Sequence, residues 1–231
     1  MAAAVGYIEL VKKHLDADPA TIRMAVDDKW FPMKNPHAGG SIYIWTLGKF
    51  RTAHQVAARF GHRDVVVLLM ERSPTEVKLA NAFVTGDAAF VKMLFATHRD
   101  LVKALAESDP GQIIRAAEDN NTGAVRLMLD CGWSPDGGIT SVGRTPLHWA
   151  AWQANREMAD LLVRHKAKLD IHDPDFHAMP LGWAIHASLQ GPWRDRDYAA
   201  IVDLLLAAGV PPPAEAAGSA SVREVIARYI K

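Results

Sequence analysis

The sequence predicts an all-α solenoid of about six helix–turn–helix repeats, with short β-finger loops between units and a C-terminal capping helix. Three observations carry this expectation. Residues 143–163, GRTPLHWAAWQANREMADLLV, read as one complete repeat. Weaker copies run from end to end. The residues that turn one helix into the next recur at a near-constant interval.

Within the complete unit, Thr145 is placed to cap a helix and Pro146 to open it, where a missing N–H costs nothing. Leu147, Ala150 and Ala151 share a face at helical spacing, and the alanines admit a close neighbour. Ala154 and Asn155 make the turn; Met158, Leu161 and Leu162 mark the returning helix. Glycine or asparagine suits such a turn when φ is positive. On that basis Gly6, Gly61, Gly86 and Asn120 anchor the other copies. Gly86 to Asn120 and Asn120 to Ala154 each span 34 positions.

A period near 33 with Thr-Pro-Leu-His resembles the ankyrin repeat family over nearly the whole chain. The irregular, Ala-rich units with inserted loops resemble the bacterial type more than regular arrays. The resemblance implies one array: units at 1–18, 49–73, 74–108, 109–140, 141–173 and 174–213, insertions at 19–48 and 189–197, and a cap at 219–231.

Departures from the period are informative. Gly6 to Gly61 spans 55 positions, which places the first insertion. There Asn35-Pro36-His37-Ala38-Gly39-Gly40 signals a turn, and Ser41 to Thr46 alternates like a strand. Gly61 to Gly86 spans only 25, so a finger is missing, and Ser73-Pro74-Thr75-Glu76 reads as a capping box. Ala154 to its expected equivalent Asp197 spans 43, which places the second insertion. Ser221 and Glu224 read as a second capping box, opening a last helix through Tyr229. Arg223, Glu224, Arg228 and Lys231 give that helix a polar outer side. The first unit begins midway into a helix, as expected for the C-terminal part of a longer array or for a trimmed chain.

The family resemblance implies a protein–protein interaction module without enzymatic activity. It places the partner surface on finger tips and on the two residues after each Ala-Ala pair. Here these include Arg59 and Phe60, Trp152 and Gln153, His186 and Ala187. Arg144, Asp175 and Phe176 join them from the fingers. Phe60 and Trp152 are either aromatic anchors, as hot spots commonly are, or residues packed under a loop. Trp45 and Trp193 offer further aromatics on the insertions. Trp149 and Trp183 occupy the slot of Val56 and are expected in the core. A small-molecule or catalytic site, formed by the two insertions against the concave face, is the second reading.

Composition narrows the classes. The 26 basic and 26 acidic residues balance, against general nucleic-acid binding through phosphates. Cys131 is the single cysteine, so no intramolecular disulfide exists. No apolar run suits a bilayer span, and Glu9 interrupts the only candidate leader. A cytoplasmic monomer is the expectation. No nucleophile elbow, phosphate loop or zinc spacing is present, and no cofactor or metal is expected. His165, His172, Asp173, Asp175 and His177 read as a surface cluster. His62 and His148 read as structural ties between finger and helix. Trp133 has no sequence-level explanation.

Overall fold

The computed structural model describes residues 1–27, 46–48, 50–138 and 143–230. Trp30, Trp45, Lys49, Ser141, Lys231 and the strand expected at 41–46 (Thr46 apart) lie outside these. Among the described residues there are thirteen α-helices, one 3-10 helix and no sheet, with an isolated antiparallel bridge between Ala25 and Thr52. The backbone forms two compact units, Met1–Leu94 and Phe95–Lys231.

The first unit carries α1 (Ile8–Ala17), a 3-10 turn (Pro19–Arg23), α2 (Ala53–Arg59), α3 (Arg63–Arg72), α4 (Thr75–Thr85) and most of α5 (Ala88–Thr97). Val11, Leu15, Ile22, Ala57, Val65, Leu68 and Leu69 form its core. Helix α2 opens on a reciprocal cap. The Thr52 N–H donates to Gln55 Oε1 (3.1 Å), and the Gln55 N–H donates to Thr52 Oγ1 (3.3 Å). Only Ser73 and Pro74 separate α3 from α4, so the missing finger is real.

The expected capping box at that junction is not formed. Pro74 is the N-cap, without a side-chain bond, and Glu76 pairs with Arg23 instead. Ser73 is buried, and its hydroxyl donates to the Leu69 carbonyl.

The second unit continues with α6 (Arg99–Ser108), α7 (Gln112–Glu118), α8 (Thr122–Asp130), α9 (Pro146–Trp152), α10 (Arg156–Arg164), α11 (Pro180–Gln190), α12 (Tyr198–Ala207) and α13 (Ala220–Ala227). Helix α9 packs between α7 and α11, and α10 between α8 and α12. Leu147, Ala150, Ala151, Met158 and Leu162 are fully buried there, as their spacing predicts.

The turn residues behave as one structural position. Gly6, Gly61, Gly86, Asn120 and Ala154 all take positive φ, between 50° and 79°. Asn121 and Asn155 follow as N-caps, each accepting a backbone N–H three residues on. Asn155 also donates to Asn120 Oδ1 (2.7 Å) and Thr122 Oγ1 (2.9 Å), tying neighbouring turns together. Asp197 has φ of −80° and caps α12 in the same way, so it matches Asn155, not Ala154.

Other boundaries shift. Ser219 caps the last helix, accepting from the Val222 N–H, where Ser221 was expected. Helix α6 occupies a stretch with no helix assigned from sequence; its signal is Leu101, Val102 and Leu105 at helical spacing. Trp133 is buried, and its indole donates to the Asp109 carbonyl, which gives that residue a packing role.

Candidate functional site

The site begins with one buried carboxylate. Asp173 is inaccessible to solvent on the loop between α10 and α11. Its Oδ1 accepts the Asp175 N–H (2.9 Å) and the Phe176 N–H (2.8 Å). Its Oδ2 accepts the Ala178 N–H (3.1 Å) and the Trp183 indole N–H (2.9 Å). Burial pushes this carboxyl up, but the bonds from Trp183 and the three backbone groups outweigh it and hold it below the ordinary range. Asp173 therefore shapes the finger and orients Trp183, which leaves it unavailable as a surface ligand.

His148 secures the other side of the same finger. Its Nδ1 accepts the Thr145 N–H (3.1 Å), so Nε2 carries the proton and donates to the Ala178 carbonyl (3.1 Å). Burial lowers its pKa, the carbonyl bond opposing, and the ring is neutral.

Trp183 then becomes the hub of an aromatic cluster. It is nearly buried, at 8% exposure. His148, Trp149, Trp152 and Phe176 meet it edge-on, with centroids 5.3, 5.7, 5.8 and 6.4 Å away. His186 stacks on Trp152 at 6.2 Å, and the Arg144 guanidinium lies 5.8 Å over the Trp183 ring. Arg144 also pairs with Asp175. Between these groups opens a cleft of about 420 Å³, lined by Arg144, Trp149, Trp152, Phe176, Ala178, Gly182, Trp183 and His186.

A family profile described as ankyrin repeats (3 copies) matches residues 87–175. The chain carries ankyrin repeats. No curated protein sequence matches it. The matched segment holds α9, α10 and most of the Asp173 finger, so part of the cleft wall is ankyrin scaffold. Ankyrin repeats are in general protein–protein interaction modules. Among the described residues no helix is long and apolar enough to cross a membrane.

Four residues expected at the partner surface of the ankyrin repeats meet in this cleft: Arg144, Trp152, Phe176 and His186. Trp183 is core as expected, whereas Trp149 is only half-buried and lines the opening.

Gln153 is a correction. It is 2% exposed, and its amide donates to the carbonyls of Ala117 (3.2 Å) and Glu118 (2.9 Å), closing the C-terminal end of α7. Ala187 is likewise buried, because α11 runs on to Gln190 where the shorter helices have already turned.

Trp193 is half-buried on the second insertion, with the Arg196 guanidinium 4.7 Å from its ring centroid. That insertion is anchored on the end of α9: Arg196 donates to the Gln153 carbonyl and Tyr198 to the Trp152 carbonyl. Trp193 does not line the cleft. Arg59 and Phe60 are exposed at the C-terminal end of α2 in the first unit and do not line it either. Trp45 lies outside the described residues.

His62 aligns with Asn155, not with His148, and its Nε2 bonds to the Ala4 carbonyl (3.0 Å). Burial and the neighbouring Asp130 push the Cys131 thiol up to about 11, away from nucleophilic use.

Proposed function

We propose that the chain is a non-enzymatic protein-interaction module, one ankyrin array whose second unit grips its partner through the aromatic cleft of α9, α11 and the Asp173 finger. The observation that carries this is the gathering of Trp149, Trp152, Trp183 and Phe176 around one opening, with Phe176 72% exposed at its rim. Large aromatics in a packed, partly open setting are what interface hot spots are made of. They are also costly to leave in water. Arg59 and Phe60 offer a second contact region on the first unit.

The small-molecule reading draws less support. Among the described residues, none of the second insertion, 189–197, lines the cleft. Affinity capture from the native organism with the intact chain and with Trp152→Ala tests the proposal. A stoichiometric protein partner is expected with the first. Trp152→Ala should weaken it by about 2 kcal/mol or more, with retained helical circular dichroism showing that the variant is still folded. A partner retained equally by Trp152→Ala would place the binding surface elsewhere.

A further inference from the structure

We infer that the cleft receives a partner segment presenting a large aromatic side chain flanked by a carboxylate, the ring entering between Trp152, Trp183 and Phe176 and the acid bonding Arg144. This rests on the protein-binding reading above and assigns the chemistry of what binds.

The walls select the ring. Among the described residues, apart from Arg144 and His186 the lining is indole, phenyl, alanine and glycine. The rings of Trp149, Trp152, Phe176 and Trp183 all line the opening, the first three packed edge-on to Trp183. Aromatic guests match such surfaces in offset or edge-to-face geometry, beyond simple area burial. A volume of about 420 Å³ admits a large ring without requiring the walls to move.

The polar groups select the acid. Among the described residues, the one formal charge lining the cleft is Arg144. Its guanidinium has five donors in a planar fork. One nitrogen pairs with Asp175, but the Nε is buried with no acceptor among the described residues. The buried carboxylate of Asp173 already accepts four donors and has nothing to offer a guest. The cleft is thus rich in donors and poor in acceptors. Asp175 is half-exposed on the finger, so a guest carboxylate competes with it on accessible ground. A cationic guest would face Arg144 across a weakly screened wall, so basic segments are disfavoured.

Selection from a random peptide library on the full chain, followed by titration of the winners, tests this. Peptides whose binding needs Trp152 should pair Trp, Tyr or Phe with a neighbouring Asp or Glu. Changing that acid to its amide should cost about tenfold on the wild-type chain and nothing on Arg144→Gln. Asp175→Asn, which keeps the backbone N–H that Asp173 holds, should tighten acidic peptides severalfold by freeing Arg144. A purely structural Arg144–Asp175 pair predicts loss in both variants. Trp152-dependent peptides that lack an acid, or carry basic residues, would overturn the inference while leaving the interaction reading intact. Absence of any Trp152-dependent peptide would overturn both.

Discussion

The Thr52 and Thr145 repeats solve one problem with a histidine placed one residue apart. In each, a helix must be tied to the residue two before the start of the next repeat's first helix. In the Thr145 repeat, His148 stands at the third helical position, fills both ring nitrogens, and reaches Ala178, two residues before Pro180. In the Thr52 repeat Gln55 has the third position and the cap, and the imidazole has moved to the second, at His54. There it occupies the slot of Leu147, and its Nε2 donates to Ser73 Oγ (2.9 Å), two residues before Thr75. The tie survives the loss of the finger. Its cost is a fully buried ring whose Nδ1 finds no partner among the described residues. The difference teaches that the finger holds the solenoid chemistry in a satisfied state, and that its removal leaves a titratable weak point.

Breaking the finger should give the largest effect. Asp173→Ala leaves four donors without their acceptor, one of them the buried Trp183 indole N–H. A loss of about 3 kcal/mol is expected in urea unfolding. The Trp183 indole resonance should move in the NMR spectrum while signals from the first unit stay in place. An unchanged midpoint would mean that the finger is held by something other than Asp173.

The next effect belongs to the fingerless repeat and depends on pH. Burial lowers the His54 pKa to about 4, the Leu69 backbone opposing, against an ordinary 6.5. Because the unfolded chain takes up the proton first, the contribution is complete above pH 6.5 and is lost progressively as pH falls from there towards 4. The difference converts to about 3 kcal/mol. His54→Leu, which restores the residue type found at Leu147, should flatten that loss. Its stability should approach the wild type at pH 7 and exceed it near pH 5, as read by thermal melts at both values. A wild-type-like acid profile in His54→Leu would show that another group drives the loss.

A smaller effect should follow from giving the Thr145 repeat the residue of its counterpart. His148→Gln can keep the cap, as Gln55 does with Thr52. It gives up the direct bond to Ala178, so a cost of about 1 kcal/mol is expected at pH 7. A cost several times larger would show that the imidazole ring, through its edge-on contact with Trp183, contributes more than the hydrogen bond.

These pairs also show what sequence can and cannot reveal. Helix starts, turns and the buried faces of α9 and α10 were legible because they repeat and because local sterics fix them. Arg144, Trp152, Phe176 and His186 were legible as a surface because a repeat position defines them. The hidden features depend on contacts distant in sequence. Gln153 looks like an exposed polar residue until the carbonyls of Ala117 and Glu118, more than a repeat earlier, are seen to need a donor. Asp173 looks like part of a wet histidine–aspartate cluster until Trp183 and three backbone N–H groups converge on it. Ser73 and Ser221 carry the right pattern for a cap, yet in each case another residue is the N-cap.

The smallest expected effect compares the turns themselves. Gly61 and Ala154 hold the same left-handed position, at φ of 79° and 50°. For an L-residue that region costs roughly 1–2 kcal/mol, whereas glycine enters it freely but loses more entropy on folding, roughly 0.5–1 kcal/mol. Ala154→Gly should therefore stabilise the chain by about 0.5 kcal/mol. A Cβ added at Gly61 meets no atom within 4 Å, so Gly61→Ala adds no clash and reports the same backbone preference with opposite sign. Melts of the two single variants should shift in opposite directions by similar amounts. If Ala154→Gly instead destabilises, the Ala154 methyl is packed usefully at its turn, and the two repeats differ there in more than the residue that occupies the position.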